Sequence, residues 1–429
     1  MVRKMLAVTM VLFLTSAVLF VGGQVTILGV SQAASAEKQL INFFSFDNDS
    51  MKVYMEGFVE RFMAANPNYE VNAQVVPGIT GEFEDQLRTS VLSGNVPDVT
   101  YEPLSTFTTF GKEGFFRKID DLVAGWEDKD DIMESALNMG MMGGGYYGVG
   151  AFPAPILLCY RVDMFEAAGL DPDVPPTNWE ELMEYAEKLT IRDAAGNIVQ
   201  SGFDFPSSDA FGCNTYPVMM QNDAYLVDEV NDVPTLTDPG VIEALQYLQK
   251  FASLGVSTPS SWEGRSNGPF YAGKAAMAYM MTSDVGAIIS AIPELEGKIR
   301  YASPIAHKKA AAFCGYRLLS VWEDSQVPEG AFELIKFFMT PEEMTIRMNE
   351  YGYSPVRNSL IDNFVQLNPE VNEKVMETIA VGKGAPVVSF LNQLYNYYNP
   401  AYEAVAAGTK DPATALQEAQ EQLLAEIGS

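Results

Sequence analysis

Histidine is nearly absent from this chain of 429 residues, which contains only His307. Metal-dependent hydrolases and nucleophiles activated by a general base rely on histidine, so this shortage argues against those classes of enzyme. His307 stands beside Lys308 and Lys309 and is predicted to be an exposed loop residue. The HExxH, GxSxG and P-loop motifs are missing as well. The sequence therefore predicts no catalytic residue, metal or cofactor, although a glycosidase, which needs only two carboxylates, stays open.

Cysteine and basic residues are also scarce. The three cysteines, Cys159, Cys213 and Cys314, are widely spaced and odd in number, which fits neither a disulfide framework nor a zinc site. They are predicted to be buried free thiols, although one pair could form a bridge. Lys and Arg number 27 against 56 Asp and Glu, a net charge of −29. Nucleic acid and anionic membranes are poor partners for such an acidic chain, and the charge is interpreted as solubility outside the cell.

A long apolar stretch occurs only at the N-terminus, over residues 5–23, after two basic residues and before the small residues 33–36. This pattern predicts a secretory signal peptide cleaved after Ala36, with an uncleaved membrane anchor as the alternative. A lipoprotein would need a cysteine at the new N-terminus, and the first is Cys159. Cleavage would leave 429 − 36 = 393 residues with a net charge of (27 − 2) − 56 = −31. That length suits two large lobes.

The segments that follow alternate between apolar runs typical of strands and apolar residues at helical spacing. In order they predict strand Leu40–Phe46, helix Met51–Ala65, strand Tyr69–Val76, helix Phe83–Leu92 and strand Val99–Tyr101. This β-α-β-α-β order indicates a mostly parallel sheet covered by helices on both faces.

The later part of the chain continues this alternation. A strand is predicted over Ile156–Tyr160, followed by a helix that Asn178 would cap, with Glu181 at its third position. Further helices are predicted over Val241–Leu254, Gly330–Met339, Pro341–Glu350 and Ala413–Ile427. The absence of repeats and stalk-like linkers disfavours an adhesion or structural module. It also predicts lobes joined by short crossings, for which hinge closure is the natural motion.

A series of short motifs resembles a known family. In chain order they are SGNVPDV (93–99), YYGVG (146–150), LCYRVDMF (158–165), GL (169–170), NWEEL (178–182), FYAGKAAM (270–277), AFELIKF (331–337) and YSPVR (353–357). Together they resemble the sugar-type extracellular solute-binding proteins of ABC importers. Two departures stand out: members usually carry a Trp just past the GKAAM strand, where this chain has residues 280–284, and another before the first helix.

The resemblance implies an α/β, periplasmic-binding-protein-like (type II) fold of two lobes, each a mostly parallel sheet flanked by helices, with a ligand cleft between them. Lobe one is expected over 37–152 and 317–358, and lobe two over 153–316 and 359–429. The implied protein is a monomer at the periplasmic or extracellular face of the membrane. It would capture a neutral sugar or oligosaccharide by hinge closure and deliver it to the permease subunits of an ABC importer.

Glycerol phosphodiesters and other polyol-type compounds are the alternative ligands. Anionic ligands of this kind need fixed positive charge in the cleft. No arginine follows Arg357 in the chain, which favours a neutral sugar, whereas Arg265, Arg317 or Arg357 could supply the charge.

Candidate ligand residues follow first from the strand ends, because ligands bind beyond the C-terminal ends of strands in open α/β sheets. These are Phe46, Asp47, Asn48 and Glu102. Asp47 could instead cap the next helix, and Glu102 could simply be solvated. In a predicted exposed loop, Trp262 is the preferred stacking platform.

The resemblance adds residues at positions that lie near the cleft in the family. They are Tyr160, Asp284, Gly315, Tyr316, Tyr353 and Arg357, with Tyr395 from an aromatic and amide cluster that includes Asn392 and Tyr397. Packing alternatives stay open: Tyr160 could be a buried hinge-side aromatic, Arg357 could anchor its loop through carboxylates, and the Tyr395 cluster could pack between helices. Trp179 is predicted to pack rather than to contact ligand.

Overall fold

The computed structural model of the chain describes residues 38–46, 49–76, 80–204, 215–254 and 268–428. Residues from Lys38 onward belong to one compact unit. The predicted signal peptide and five residues singled out from the sequence lie outside the described residues, namely Asp47, Asn48, Cys213, Trp262 and Arg265.

The strands and helices of the described chain are numbered in chain order. The strands are β1 (Gln39–Phe46), β2 (Tyr69–Val76), β3 (Val99–Pro103), β4 (Met141–Met142), β5 (Gly145–Tyr146), β6 (Gly148–Pro155), β7 (Leu157–Arg161), β8 (Ile191–Arg192), β9 (Ile198–Gln200), β10 (Val227–Asp228), β11 (Val233–Pro234), β12 (Met277–Met280), β13 (Ile299–Tyr301), β14 (Ala312–Val321) and β15 (Gly382–Lys383). The helices are α1 (Asp49–Ala65), α2 (Thr80–Leu92), α3 (Leu104–Lys112), α4 (Asp120–Ala124), α5 (Glu134–Met139), α6 (Val162–Ala167), α7 (Trp179–Leu189), α8 (Tyr216–Gln221), α9 (Pro239–Leu254), α10 (Thr282–Ala291), α11 (Pro328–Phe338), α12 (Pro341–Tyr351), α13 (Ile361–Leu367), α14 (Pro369–Val381), α15 (Leu391–Ala406) and α16 (Pro412–Ile427).

The predicted elements of the first hundred residues are confirmed, with β1, α1, β2, α2 and β3 in that order. The predicted cap of α7 is also present. The Asn178 side chain accepts a hydrogen bond from the Glu181 amide at 2.9 Å. The Glu181 carboxylate bonds to the amide and hydroxyl of Thr177, so the reciprocal half of the capping box is shifted by one residue.

Six strands form the main sheet, in the order β15-β14-β3-β1-β2 with β6 also paired to β14. β1 runs parallel to β2 and β3, as the β-α-β-α-β order predicts. β14 comes from much later in the chain and runs antiparallel to both β3 and β6. The sheet is therefore parallel at its centre and mixed where the chain returns.

A second sheet has the order β12-β7-β13, and both of its pairings are antiparallel. The expectation of a mostly parallel sheet in each lobe is therefore wrong for these three strands. Parallel bridges are present beside them, between Ser201 and Ala275 and between Asp204 and Ala278. Apolar patterning predicted a strand over Ile156–Tyr160, where β7 is found, but it carries no information about the direction of the neighbouring strands.

The buried side chains form two clusters, each assembled from distant parts of the chain. One cluster surrounds the main sheet and includes Phe43, Tyr101 and Leu318. The other includes Trp179 and Tyr398 and joins α7 and α9 to the C-terminal helices. The lobe boundaries predicted at 152/153 and 316/317 fall inside β6 and β14, which pair with each other. The exact division of the chain between lobes stays a prediction.

Cys159 and Cys314 are buried free thiols, as predicted for these two residues. Over the ranges that the structure describes, no helix is both long and apolar enough to cross a bilayer.

A buried polar cluster, here called the clamp, fastens α1 to α11 and α12. The Tyr54 hydroxyl donates to a Glu343 carboxylate oxygen at 2.9 Å, and Arg61 donates two hydrogen bonds to the same carboxylate at 2.6 and 2.8 Å. Arg347 donates to the Tyr54 hydroxyl and, at 2.8 Å, to the Phe338 carbonyl. Arg347 also lies 3.9 Å from the centroid of the Phe338 ring. Because each charge has close partners, the clamp satisfies the polar groups it buries.

Candidate functional site

Several strand ends meet at one edge of the main sheet. β1 ends at Phe46 and the parallel strand β3 ends at Pro103, so both chains leave the sheet on the same side. β14 reaches this edge from the opposite direction, with Arg317 directly opposite Pro103. Arg317 also lies opposite Phe152 of β6. This edge is where an open α/β sheet offers its ligand-binding position.

One face of the β6–β14 pair is partly open at this edge. Gly315 lies opposite Ala154, and Arg317 lies opposite Phe152; all four are half-buried. Residues directly opposite in an antiparallel pair share a face, so these four form a single surface, here called the ribbon face. A register shift follows Arg317, and such bulges re-aim side chains beside functional sites.

Arg317 joins the ribbon face to the end of β1. Its guanidinium donates a hydrogen bond to the Phe46 carbonyl at 3.2 Å. The guanidinium carbon also lies 5.2 Å from the centroid of the Phe46 ring and 5.8 Å from that of Tyr101, within cation–π range. Phe46 makes a further edge-on contact with Phe83, at 5.5 Å between ring centroids. The ring of Phe46 is thus held by protein groups on more than one side.

An aromatic pair lies at the other side of Arg317. The rings of Phe152 and Tyr353 are stacked, with centroids 4.1 Å apart and planes 24° from parallel. Both residues are half-buried. Gly352 ends α12 in a left-handed conformation, with φ of 68°, and this turn brings Tyr353 back to the sheet. The pair presents aromatic surface next to a charged group and the small residues of the ribbon face.

The family model for bacterial extracellular solute-binding proteins matches residues 48–345. The chain belongs to this family. An arabinooligosaccharide-binding protein from Bacillus subtilis is 24% identical over 381 residues, covering 87% of this chain and 84% of the relative. The sn-glycerol-3-phosphate-binding periplasmic protein UgpB from Escherichia coli K12 is 22% identical over 406 residues, covering 86% of this chain and 88% of the relative.

Solved structures show the same architecture. The ABC substrate-binding protein Lmo0181 from Listeria monocytogenes, in complex with cycloalternan, aligns with a TM-score of 0.72 at 20% identity. The alignment covers 91% of this chain and all of the Listeria chain. Members of the family and these neighbours are binding proteins. The likeness confirms the predicted two-lobed α/β fold.

The structure brings three of the candidate ligand residues to this edge, namely Phe46, Gly315 and Tyr353. It adds Phe152, which the sequence analysis missed, and Arg317, which was considered only as a possible source of charge. Half-buried residues alternate with buried ones over residues 152–155 of β6 and 314–317 of β14. The sequence of these segments, FPAP and CGYR, shows no matching alternation of polar and apolar residues, so only the structure identifies Phe152 and Arg317 as neighbours at this edge.

Glu102 is fully enclosed in the main sheet, so its interpretation as a solvated residue is wrong. One carboxyl oxygen accepts a hydrogen bond from the Ser320 hydroxyl at 2.5 Å. Burial raises the pKa of Glu102 to about 8, because the charged form is poorly solvated inside the sheet. In this conformation the carboxyl has no exposed surface, and its role toward a ligand stays a prediction.

Arg357 anchors its loop through carboxylates, as one of its two interpretations predicted. It is buried and donates to the Met339 carbonyl at 2.6 Å. It also pairs with Asp131 at 2.9 Å and Asp128 at 3.3 Å. Its charge is therefore committed to the protein. Tyr160 is likewise buried, and its hydroxyl donates to the Pro172 carbonyl at 2.8 Å, in agreement with the packing interpretation.

Three further candidates are not among the ribbon-face residues. Tyr316 points to the other side of β14, where its hydroxyl lies 3.4 Å from that of Ser135. The Asp284 carboxylate accepts from the Met281 amide at 3.3 Å and so caps α10. Tyr395 is half-buried on α15. A ligand contact by any of them stays a prediction, as it does for Asp47, Asn48 and Trp262.

The packing role predicted for Trp179 and the exposure predicted for His307 are confirmed. Trp179 is buried and packs between the rings of Tyr247 and His307, with centroid distances of 4.2 and 4.1 Å. His307 is exposed, as predicted.

A cavity of about 530 Å³ lies where α5, the β10–β11 hairpin and β15 meet. Its lining includes Lys112, Ser135, Met142, Glu229 and Lys383. At its rim the Lys112 ammonium lies 3.5 Å from the Asp232 carboxylate. None of the candidate ligand residues that the structure describes lines this cavity. Within the described part of the chain, no group of histidine, cysteine and acidic side chains could hold a metal ion.

Proposed function

We propose that this protein captures a neutral sugar or oligosaccharide between its two lobes and delivers it to an ABC importer without chemical change. The observation that carries the proposal is the stacked, half-buried pair of Phe152 and Tyr353 at the edge where the strands end. Apolar C–H faces of a sugar pack against aromatic rings, while its hydroxyls need a few fixed polar groups beside them. The ribbon face supplies aromatic surface and a guanidinium within one small area.

Membership of the solute-binding family supports the binding role. The names of the Bacillus relative and of the Listeria complex specify oligosaccharides, which supports the ligand class. The shortage of histidine, with His307 exposed and stacked on Trp179, supports a protein that binds rather than catalyses.

Capture would work by hinge closure. The open lobes expose the cleft, ligand contacts both, and closure is favoured because only the closed form makes both sets of contacts. The closed protein then docks on the permease subunits of the importer. The proposal includes export through the N-terminal signal, cleavage after Ala36 without lipid attachment, and a monomeric protein in the periplasm or at the outer face of the membrane.

A second candidate function is binding of a glycerol phosphodiester or another anionic polyol. Arg317 is the observation that favours it, because this half-buried guanidinium lies at the ribbon face, whereas Arg357 is buried. A phosphate needs such a fixed cation. The name of the Escherichia coli relative, which specifies sn-glycerol 3-phosphate, points to the same class.

A ligand screen separates these candidates. The exported protein is tested by thermal shift against arabino-, malto- and manno-oligosaccharides, monosaccharides, polyols and glycerol phosphates. A neutral oligosaccharide at 100 times its Kd is expected to stabilise the protein by about 2.7 kcal/mol. Stabilisation confined to anionic compounds would replace the neutral-sugar proposal with the second candidate. Chromatography of the incubated oligosaccharides checks for turnover, and conversion of any of them to product would refute the binding-only role.

Tyr353 offers a sharper test of the stacking platform. Tyr353→Ala is expected to weaken binding of the best oligosaccharide about 10-fold, near 1.4 kcal/mol, because buried aromatic anchors dominate binding energies. Tyr353→Phe keeps the ring on Phe152 and is the matched control, with an expected change below about 2-fold. Calorimetric titration measures both. Equal affinities for the Ala and Phe variants would remove the platform from the proposal.

A further inference from the structure

The end of β1 is held by a side chain that comes from two strands away. The pairing of β1 with β3 ends at Ser45 and Tyr101, and the chain after β3 turns into α3. Phe46, the last residue of β1, therefore lies beyond the β3 ladder while it still pairs with Val76 on the other side. Arg317 of β14 reaches past β3 and donates to the Phe46 carbonyl at 3.2 Å.

The position of Arg317 in β14 allows this reach. Its partner on β3 is Pro103, which has no amide hydrogen to donate to a ladder. On the other side, the register shift in the β6–β14 pair begins immediately after Arg317. The regular ladder is thus interrupted on both flanks of one residue. Such interruptions redirect side chains, and here the guanidinium extends over the rings of Phe46 and Tyr101.

Arginine suits this position better than lysine. A planar guanidinium can lie over an aromatic ring and donate a directed hydrogen bond at the same time, whereas a lysine ammonium is a flexible point charge. Arg317 uses both properties on one residue, because it contacts the ring of Phe46 and also its carbonyl.

We propose that Arg317 is a positioning residue of the ligand site, which sets the end of β1 relative to the aromatic pair of Phe152 and Tyr353. Phe152 lies directly opposite Arg317 in the ladder, and Phe46 is bonded to its guanidinium. Arg317 therefore joins two walls of the site, Phe152 through the backbone ladder and Phe46 through its side chain. Preorganised walls raise affinity, because ordering them on binding would cost free energy. This inference rests on the proposed binding function.

The test compares Arg317→Lys and Arg317→Met with Arg300→Met in the exported protein. Arg300 is the matched control, since it forms ion pairs with Asp173 and Glu370, and neither of these is a ribbon-face residue. The first measurement is hydrogen exchange of the peptide that covers β1, without ligand. The second is calorimetric titration with the oligosaccharide that stabilises the wild type most in the thermal-shift screen.

Both Arg317 variants are expected to exchange faster at the end of β1 and to bind the oligosaccharide at least about 10-fold more weakly. The Arg300 control is expected to stay within about 2-fold in affinity and unchanged in exchange at β1. Lysine is not expected to restore either property, because the stacked planar donor is lost.

Unchanged exchange at β1 in both Arg317 variants would overturn the inference whether or not any ligand binds. Faster exchange with affinity within 2-fold of wild type would also overturn it, by showing a structural role without consequence for the site. If the wild type binds none of the oligosaccharides, the proposed function fails by itself. The exchange measurement then still decides whether Arg317 positions the end of β1.

Discussion

Two arginine–aromatic clusters in this protein use the same residue types in opposite settings. In the clamp, Glu343 and Arg347 are almost fully buried, and Arg347 lies 3.9 Å from the Phe338 ring centroid. At the ribbon face, Arg317 is half-buried and lies 5.2 Å from the ring centroid of Phe46. The clamp joins helices by their enclosed faces, whereas the ribbon face lies at an open edge of the sheet.

The difference in burial distinguishes side chains that stabilise the fold from side chains that a ligand can contact. An enclosed charge such as Arg347 helps to hold the fold together, because removing one of its partners leaves it unpaired in the interior. A half-buried cation beside stacked rings keeps surface that a ligand can reach. Arginine and aromatic residues in the sequence do not distinguish these cases, since both clusters are built from the same types of residue.

The largest expected effect tests the clamp. Glu343→Ala is expected to lower the free energy of unfolding by about 3 kcal/mol, because the Tyr54 hydroxyl and the Arg61 guanidinium lose the carboxylate that accepts their hydrogen bonds. Urea unfolding measures the change. Glu342→Ala, on the exposed side of α12, is the control and is expected to change stability by less than about 0.5 kcal/mol.

Oligosaccharide affinity of the folded Glu343→Ala protein is expected to stay within about 2-fold of wild type. A large loss of affinity with little loss of stability would reverse the assignment of the clamp to folding and break the comparison.

The next prediction concerns the pH dependence of stability, which depends on Glu102, an enclosed carboxylic acid of β3. Its pKa rises from an ordinary 4.5 to about 8 on burial, so the folded protein holds the proton more tightly than the unfolded chain. The stability from this group is fully present below pH 4.5 and is lost as the pH rises toward 8, by up to about 1.4 kcal/mol per pH unit.

Glu102→Gln cannot ionise and keeps an acceptor for the Ser320 hydroxyl. Relative to this variant, the wild type is expected to lose stability steadily in urea unfolding at pH 5, 6, 7 and 8. Parallel pH profiles for the two proteins would contradict the prediction. A steep difference would show that the buried Glu102 costs stability as the pH rises and its ionised form becomes favoured.

The smallest expected effect concerns an ion pair that is neither enclosed nor part of the ribbon face. Lys112 and Asp232 lie 3.5 Å apart, with side chains 31% and 34% exposed. Lys112→Ala is expected to change the free energy of unfolding by less than about 1 kcal/mol. The change is expected to be smaller still in 0.5 M salt, where the screening length for charges is roughly 4 Å. The exposed pair of Lys188 and Glu184 provides a control through Lys188→Ala. A loss of stability as large as that of Glu343→Ala would show that the exposure of a cluster does not predict its contribution to stability.

Much of the fold was predictable because local patterns decide it. The alternation of β1, α1, β2, α2 and β3 follows from apolar spacing, and the Asn178 cap follows from a hydrogen bond between residues three apart. The order of motifs correctly indicated the family and its two-lobed architecture.

The candidate site was only partly predictable. Strand ends and family positions pointed to Phe46, Gly315 and Tyr353, which the structure brings to one edge. Arg357 carries the same charge as Arg317 in sequence, but three acceptors enclose it. The antiparallel direction of β12 and β13 was also missed, because strand direction depends on partners remote in the chain.

The sequence by itself determined the local elements, the acidic and histidine-poor chemistry and the family, because each depends on residues close together or on composition. Only the tertiary structure decided which polar groups are enclosed and which reach the open edge. That choice depends on strands from distant parts of the chain meeting side by side, as β6 and β14 do beneath Phe152 and Arg317. Burial is a property of that assembly and not of any one residue.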